Sequence, residues 1–401
     1  MRVVEALRAA VPPAPRAFDD EEYASRLSRV RAAMRREGID VLLVSNMASV
    51  CYLTGYESAM ATGHVIAVVP QDGPLSLQVL EGEAVNAYVY SWVEDVRLCD
   101  TYAKDRTTHL GQLLQDRGFG AGSIGIEADK HTTFATGAIE AATLGRLEEM
   151  LPAARFVDAT RLVTDVRVVK SQAEIGYLRT AGALTARGMD AGLAAVAPGR
   201  TTNEVIGAIY EAMLSGGSEV PALQPMVLRG WEASAPHLMA KRQVIEPGDA
   251  VYIECSASYQ RYSAPRMRTI AVGEPTPVVR RLAATSLAVL DCLLGSIAAG
   301  RTAHDIATEA KRVLRDGAGD VYWWGSFSYA IGVGFPPYWS EGPMYIEEGS
   351  ERVLEAGMAL HVNAYLSEPG EAGVGFSESV VVTADGCELL TPAGERRLAV
   401  R

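Results

Sequence analysis

The chain has 401 residues, 48% hydrophobic and 21% charged, which describes a globular protein long enough for two domains that each bury a core. Its net charge of −12 argues against nucleic acid or an anionic membrane as the main partner, and no apolar run reaches the roughly 18 residues of a membrane span. The first residues are too mixed for a secretory signal, and five scattered cysteines without a CxxC pair argue against a disulfide framework and thiolate-bound zinc, so the expectation is a cytoplasmic protein.

Acidic residues 19–22, followed by apolar Tyr23, Leu27, Val30 and Met34, predict an amphipathic helix that stops at Gly38. Residues 39–44 read as a buried strand. Further strands at 65–69, 75–80 and 123–127, set off by Gly or Pro, complete a small α/β domain over residues 1–165. His64 and the pair Lys130-His131 are isolated polar candidates there, and single histidines are more often structural than functional. Ser171 and Glu174 then have capping-box spacing and open a long helix to about Val196, at the start of a second domain over residues 166–401.

Within that domain Pro247-Gly248 makes a turn, and residues 250–256 alternate. Val251, Ile253 and Cys255 face one way, and Tyr252, Glu254 and Ser256 face the other. Residues 266–272 read as a return strand, and His237 lies in a loop upstream. A carboxylate, an imidazole and a guanidinium can thus converge, although a hairpin that turns Glu254 to bulk water has the same pattern. The chain then repeats itself. Gly199-Arg-Thr-Thr-Asn-Glu-Val205 recurs as Gly300-Arg-Thr-Ala-His-Asp-Ile306, and Gly248-Asp-Ala-Val-Tyr-Ile-Glu254 as Gly357-Met-Ala-Leu-His-Val-Asn363, at offsets of 101 and 109 residues. Two similar α+β halves are expected, with helices on one side of a curved antiparallel sheet. Glu254 and Asn363 become equivalent positions, and His361, Asn363 and Tyr365 share a polar face that looks into the same concavity.

At this point the sequence resembles the creatinase/aminopeptidase P superfamily, whose catalytic domain has the pita-bread fold. The resemblance covers nearly the whole chain and runs through Arg167-Val-Val-Lys-Ser-x-x-Glu174 and the duplicated domain. Metallopeptidases of the superfamily hold two metal ions with two Asp, one His and two Glu. The matching places here are Glu254, Pro265, Tyr329, Asn363 and Ser377, with Glu378 one residue away. Proline has no donor, and the remaining four cannot neutralise two divalent cations, so no metal or other cofactor is expected. Of the metal-free branches, the closer match is to ectoine hydrolases. It runs through Ala235-Pro-His-Leu238, Tyr259-Gln-Arg-Tyr262 followed by Pro265, Arg268-Thr269, Tyr329-x-Ile-Gly332, Pro336-Pro337-x-Trp339 and Glu378-Ser379. The match thins at residues 57–64, which lack the expected aromatics, after Asp129, and at residues 360–365.

The resemblance implies hydrolysis of a C–N bond in a small, nitrogen-rich, non-peptide substrate, a cyclic amidine or related amide. Glu254 would be the nucleophile and His237 the acid–base group. Tyr329, His361 and Asn363 would hold polar substrate groups, Glu378 would pair with an amidinium, and Tyr262, Arg268 and Asp129 complete the candidate contacts. Arg268 also reads as a structural partner for a buried carboxylate. Two alternatives stand beside this: a creatinase-like amidinohydrolase in which His237 activates water, and a non-catalytic binding protein descended from a peptidase. The resemblance further implies a homodimer, with the loop over residues 56–64 near the partner's site.

Overall fold

The computed structural model describes residues 9–12, 14–60, 64–100, 106–128, 138–342, 344–392 and 394–401. The chain divides into two units, Met1–Arg167 and Val168–Arg401, where a boundary after residue 165 was expected.

In the first unit, Asp19 opens α1 (Asp20–Glu37) by accepting the Glu22 amide at 2.8 Å, and three acidic residues fill the turn where the helix dipole favours negative charge. Gly38, at φ 67°, closes it in the left-handed conformation that glycine adopts without steric cost. There follow β1 (Val41–Val44), α2 (Met47–Thr54), β2 (Val65–Pro70), β3 (Ser76–Leu80), α3 (Ala84–Tyr90), β4 (Asp95–Cys99), α4 (Thr107–Asp116), β5 (Ser123–Ile126), α5 (Ala141–Met150), β6 (Arg155–Asp158) and α6 (Leu162–Arg167). The strands form one mixed sheet in the order β4-β3-β2-β1-β5-β6, with β1 antiparallel to β2 and parallel to β5. Val41, Leu43, Ile66 and Val68 share a core with Leu110 and Leu114 of α4 and Leu147 of α5. Sequence reasoning misses β4 and β6. Both are partly exposed edge strands, so neither carries the continuous apolar run that marks β1 and β2.

The second unit opens with α7 (Gln172–Ala195), whose Ser171–Glu174 capping box is formed in full. Its other elements are α8 (Thr202–Ser215), β7 (Met226–Arg229), β8 (Ala250–Cys255), β9 (Ser258–Tyr259), β10 (Tyr262–Ser263), β11 (Arg266–Ala271), α9 (Pro277–Ser296), α10 (Ala303–Ala318), β12 (Ser328–Phe335), β13 (Tyr338–Glu341), β14 (Ala359–Glu368), β15 (Ala372–Val382), β16 (Cys387–Leu389) and β17 (Ala399–Val400). The two halves use the same bonds at equivalent places. The Gly199 and Gly300 amides donate to the Ile245 and Leu354 carbonyls, and the Gly248 and Gly357 amides to those of Val272 and Val382. Thr201 and Thr302 cap α8 and α10 in the same way.

Helices cover one face of each half. Met189, Ile209 and Met213 pack with Val227, Val251, Ile253 and Ile270, while Leu282, Leu290 and Ile306 pack with Leu360, Val362 and Val380. The strands form two sheets instead of one continuous one: β16-β15-β14-β12-β10-β9, with β13 beside β12, and β17-β11-β8-β7. Side-chain hydroxyls replace ladder bonds where β11 meets β15. Ser377 Oγ accepts the Met267 amide at 2.6 Å, and Thr269 Oγ1 accepts the Gly375 amide at 3.0 Å. A Cβ at Gly375 would lie 2.6 Å from the Tyr252 ring, and one at Gly373 would lie 1.7 Å from the Ala233 carbonyl oxygen, so only glycine permits this approach. Among the described residues no helix is long and apolar enough to cross a membrane.

Candidate active site

The alternation along β8 sends Val251 and Ile253 into the helix-covered core and leaves Tyr252 and Glu254 on the opposite face. Glu254 stands opposite Met267 on β11 and Met226 on β7, and it is only 3% exposed. Its Oε2 accepts the Tyr252 hydroxyl at 2.7 Å, and among the described residues its other oxygen has no partner. Burial without a balancing cation pushes the Glu254 carboxyl up to about 7, against the lowering effect of the Tyr252 bond. The group therefore holds its proton to higher pH than an ordinary carboxylate.

The equivalent strand β14 presents His361, Asn363 and Tyr365 on one face. Asn363 lies opposite Ser377 of β15, is 5% exposed, and its carboxamide makes no hydrogen bond among the described residues. His361 is fully buried between Tyr329 Oη, 2.7 Å from Nδ1, and Ser377 Oγ, 2.6 Å from Nε2. Burial pushes its imidazole down to about 3. Tyr329 also accepts the Trp339 indole N–H at 2.8 Å, and burial together with the Glu254 charge raises its pKa well above the ordinary value. Glu254, Tyr329, His361, Asn363 and Ser377 are thus brought to the facing strands of one site.

His237 is placed differently from the expectation of a direct partner for Glu254. It follows the 3-10 turn Gly230–Ser234, its ring is exposed, and it makes no hydrogen bond among the described residues. It packs on Trp324 with centroids 4.7 Å apart. Trp324 meets Tyr365 at 5.8 Å, and Tyr365 meets Tyr252, the partner of Glu254, at 5.6 Å. A series of aromatic rings therefore runs between the imidazole and the carboxylate, which the sequence placed close enough to converge. Partial desolvation lowers the His237 pKa. Neither Trp324 nor Tyr252 was named as a site residue. The alternation that exposed Glu254 also placed Tyr252 on its face, so Tyr252 was legible; Trp324 lies in a loop with no periodic signal.

Three candidates are corrected by their partners. Glu378 does not await a substrate cation: Arg266 and Arg268 hold it at 2.9 and 2.5 Å, and Thr391 donates at 2.7 Å. Register explains why, since Glu378 follows Ser377 on β15 and points to the opposite face. Arg268 is spent on this carboxylate and on the Met267 and Ser377 carbonyls. Tyr262 donates to Glu174 at 3.0 Å, anchoring α7 to β10. Asp129, with Lys130 and His131, lies outside the described residues, and His64 contacts Gln78 within the first unit.

The five places that match metal ligands in the resembling metallopeptidases hold one carboxylate, a proline, a carboxamide, a phenol bonded to Trp339 and His361, and a hydroxyl bonded to Met267 and His361. This donor set does not fit two divalent cations. Among the described residues no group of three or more His, Cys, Asp or Glu side chains is arranged to hold a metal.

Residues 26–169 match the creatinase/prolidase N-terminal domain and residues 176–384 match metallopeptidase family M24. The chain is 31% identical over 390 residues to an ectoine hydrolase of Halomonas elongata, covering 93% of this chain and 96% of that protein. It is 25% identical to an Xaa-Pro dipeptidase of Pyrococcus horikoshii, covering 93% and 98% of the two chains. The crystal structure of dipeptidase PepE from Mycobacterium ulcerans superposes with a TM-score of 0.81 at 25% identity, over 96% of this chain and 99% of that one. With a creatinase-type N-terminal domain followed by a pita-bread domain of two similar halves, the chain belongs to the hydrolases of metallopeptidase family M24.

Proposed function

We propose that this protein is a metal-independent hydrolase that opens a C–N bond in a small, non-peptide, nitrogen-rich substrate, a cyclic amidine or a related amide. The observation that carries the reading is Glu254: a buried carboxylate with, among the described residues, one hydrogen bond, no cation beside it and one oxygen without a partner. A substrate amidinium supplies the missing positive charge, and the faces of Tyr252, Tyr365 and Trp324 offer the aromatic surroundings that organic cations favour. Its carbon is electrophilic through that same charge, so no Lewis acid is required of the protein.

Glu254 adds to the amidinium carbon and forms a C–O bond. The neutral His237 imidazole takes up the proton that the retained nitrogen of the adduct releases and passes it to the departing nitrogen as the C–N bond breaks; with Trp324, Tyr365 and Tyr252 between it and Glu254, the transfer runs through a bridging water. Water, deprotonated by His237, then cleaves the Glu254 adduct, and His237 gives that proton to the released amine, so the net change is the addition of one water. The unpaired Asn363 carboxamide and the Tyr329 hydroxyl hold polar substrate groups. By the family resemblance, the working unit is a cytoplasmic homodimer; light scattering that reports a monomer would remove that part.

The test is turnover of ectoine, creatine and an Ala-Pro dipeptide, each with EDTA and with added manganese. EDTA-resistant opening of ectoine or creatine supports the reading, and for ectoine a mass adduct on Glu254 is expected in the quenched enzyme. Manganese-dependent cleavage of Ala-Pro alone would overturn it.

A further inference from the structure

Tyr252 stands two positions before Glu254 on the same face of β8, and it is completely buried. Its hydroxyl donates to Glu254 Oε2 at 2.7 Å, and among the described residues this is the only hydrogen bond of either side chain. A phenol has a single proton to give, so its whole donor capacity goes to one oxygen of the carboxylate. The other oxygen, Oε1, has no partner among the described residues and is not sealed from solvent, so it is the atom that reaches the open space of the site. The ring that holds Oε2 is itself fixed. On one side β15 passes so close that a Cβ at Gly375 would lie 2.6 Å from the ring. Tyr365 meets the ring edge-on, with centroids 5.6 Å apart and planes at 74°, and its own hydroxyl is tied to the Ala233 carbonyl at 2.7 Å. The phenol therefore cannot follow a carboxylate that turns. From the neighbouring strands, the uncharged Met226 of β7 and Met267 of β11 stand opposite Glu254. The other titratable groups of the site are Tyr329 of β12 and His361 and Tyr365 of β14, with Cys255 behind them on the far face of β8. Burial keeps the phenols and the thiol protonated and the imidazole uncharged, and among the described residues no cation acts on Glu254.

We propose that Tyr252 is a positioning residue that grips Glu254 by Oε2 and so assigns the attack on the substrate carbon to Oε1. This rests on the hydrolase reading above for its meaning in turnover, but the grip exists without substrate. In the first step the new C–O bond forms at Oε1, Oε2 becomes the carbonyl oxygen of the adduct, and the Tyr252 proton stays on its own oxygen throughout. When water resolves the adduct, the carboxylate returns to the same grip. A phenol suits this task better than the guanidinium groups that hold Glu378, because it fixes one oxygen without neutralising the charge that makes the other nucleophilic. The same bond works against burial and favours the ionised carboxyl that the attack needs.

The test uses two variants of the full chain. Tyr252→Phe keeps the ring between Gly375 and Tyr365 and removes only the hydroxyl. With ectoine as the probe it should lower kcat by about tenfold or more while KM stays within about threefold, since the loss falls on the geometry of attack. The acid limb of kcat/KM should move up by about one pH unit, because the ionised carboxyl has lost its donor. Tyr252→3,5-difluorotyrosine, a more acidic phenol and a stronger donor, should move the limb down, and it keeps the hydroxyl should the Phe variant not fold. The same shifts are expected in the free enzyme by carbon-13 NMR of protein labelled at the glutamate carboxyls, the Glu254 signal being assigned by its loss in Glu254→Gln. A packing role alone would lower stability and leave the titration in place. An unshifted Glu254 titration, or a Tyr252→Phe enzyme with the parent's kcat, would overturn the proposal. Because the titration is read without substrate, its failure is distinct from failure of the hydrolase reading, which the metal and adduct measurements decide.

Discussion

Two carboxylates on facing strands of the second unit, Glu254 of β8 and Glu378 of β15, are almost equally removed from water, at 3% and 1% exposure. Their surroundings are opposite. Burial alone would raise Glu378, but Arg268 and Arg266 outweigh it and hold its carboxyl below the ordinary value. Among the described residues Glu254 has one phenol and no cation beside it, and burial raises it to about 7. Burial therefore does not by itself set the protonation of a carboxyl; the charges beside it do. Glu378 has its charge answered within the chain, whereas Glu254 has no cation beside it among the described residues.

The contrast breaks most sharply in turnover. Glu254→Gln should lower kcat by about 10³–10⁴-fold, whereas a conservative change at Glu378 acts on stability, and single-turnover kinetics on the folded variants distinguish the two. In the parent enzyme kcat/KM should fall about tenfold per pH unit below about pH 7, as Glu254 takes up its proton. Next in size, Glu378→Gln leaves two buried guanidinium groups short of their anion and should cost about 3–5 kcal/mol in urea unfolding.

Stability reverses sign at Glu254. Between the ordinary carboxylate range and about pH 7 the folded chain holds a proton that the unfolded chain has released, so stability falls as pH rises through that window and stays lost above it. Glu254→Gln removes this penalty and should stabilise the protein by about 1–3 kcal/mol at pH 8, with the gain vanishing near pH 4. The smallest effect is expected for Thr391→Val, which removes one neutral donor from Glu378 and should cost about 1 kcal/mol. A larger loss there than in Glu378→Gln would mean that the arginines are not the main support.

The repeat was legible because its signals are local. Gly199 and Gly300, Thr201 and Thr302, and the alternation about Glu254 and Asn363 each state a turn, a cap or a strand face within a few residues, and the halves follow. Glu254 was legible for the same reason: a carboxylate out of phase with an apolar strand. The partner of Glu378 was not, since a one-residue step on β15 decides which face it takes, and a side chain of β11 meets it there from more than a hundred positions away. His237 was visible as a residue but not in its setting, because Trp324, which backs it, sits in an irregular loop. The pair His361 and Ser377 was half visible: the strand face was read, whereas their contact depends on the β14–β15 register.

The close pass between Gly373 and Ala233 bears on how such a site changes its diet. The Ala233 oxygen that blocks a side chain at position 373 also receives the Tyr365 hydroxyl at 2.7 Å, and the backbone there leads within four residues to His237. A single methyl group added here, four residues before Ser377 on β15, would push that carbonyl outward, loosen Tyr365 and swing the imidazole with it. Variation at this glycine would thus shift Tyr365 and the backbone leading to His237 while the side chains of Glu254, Asn363 and Ser377 stay the same.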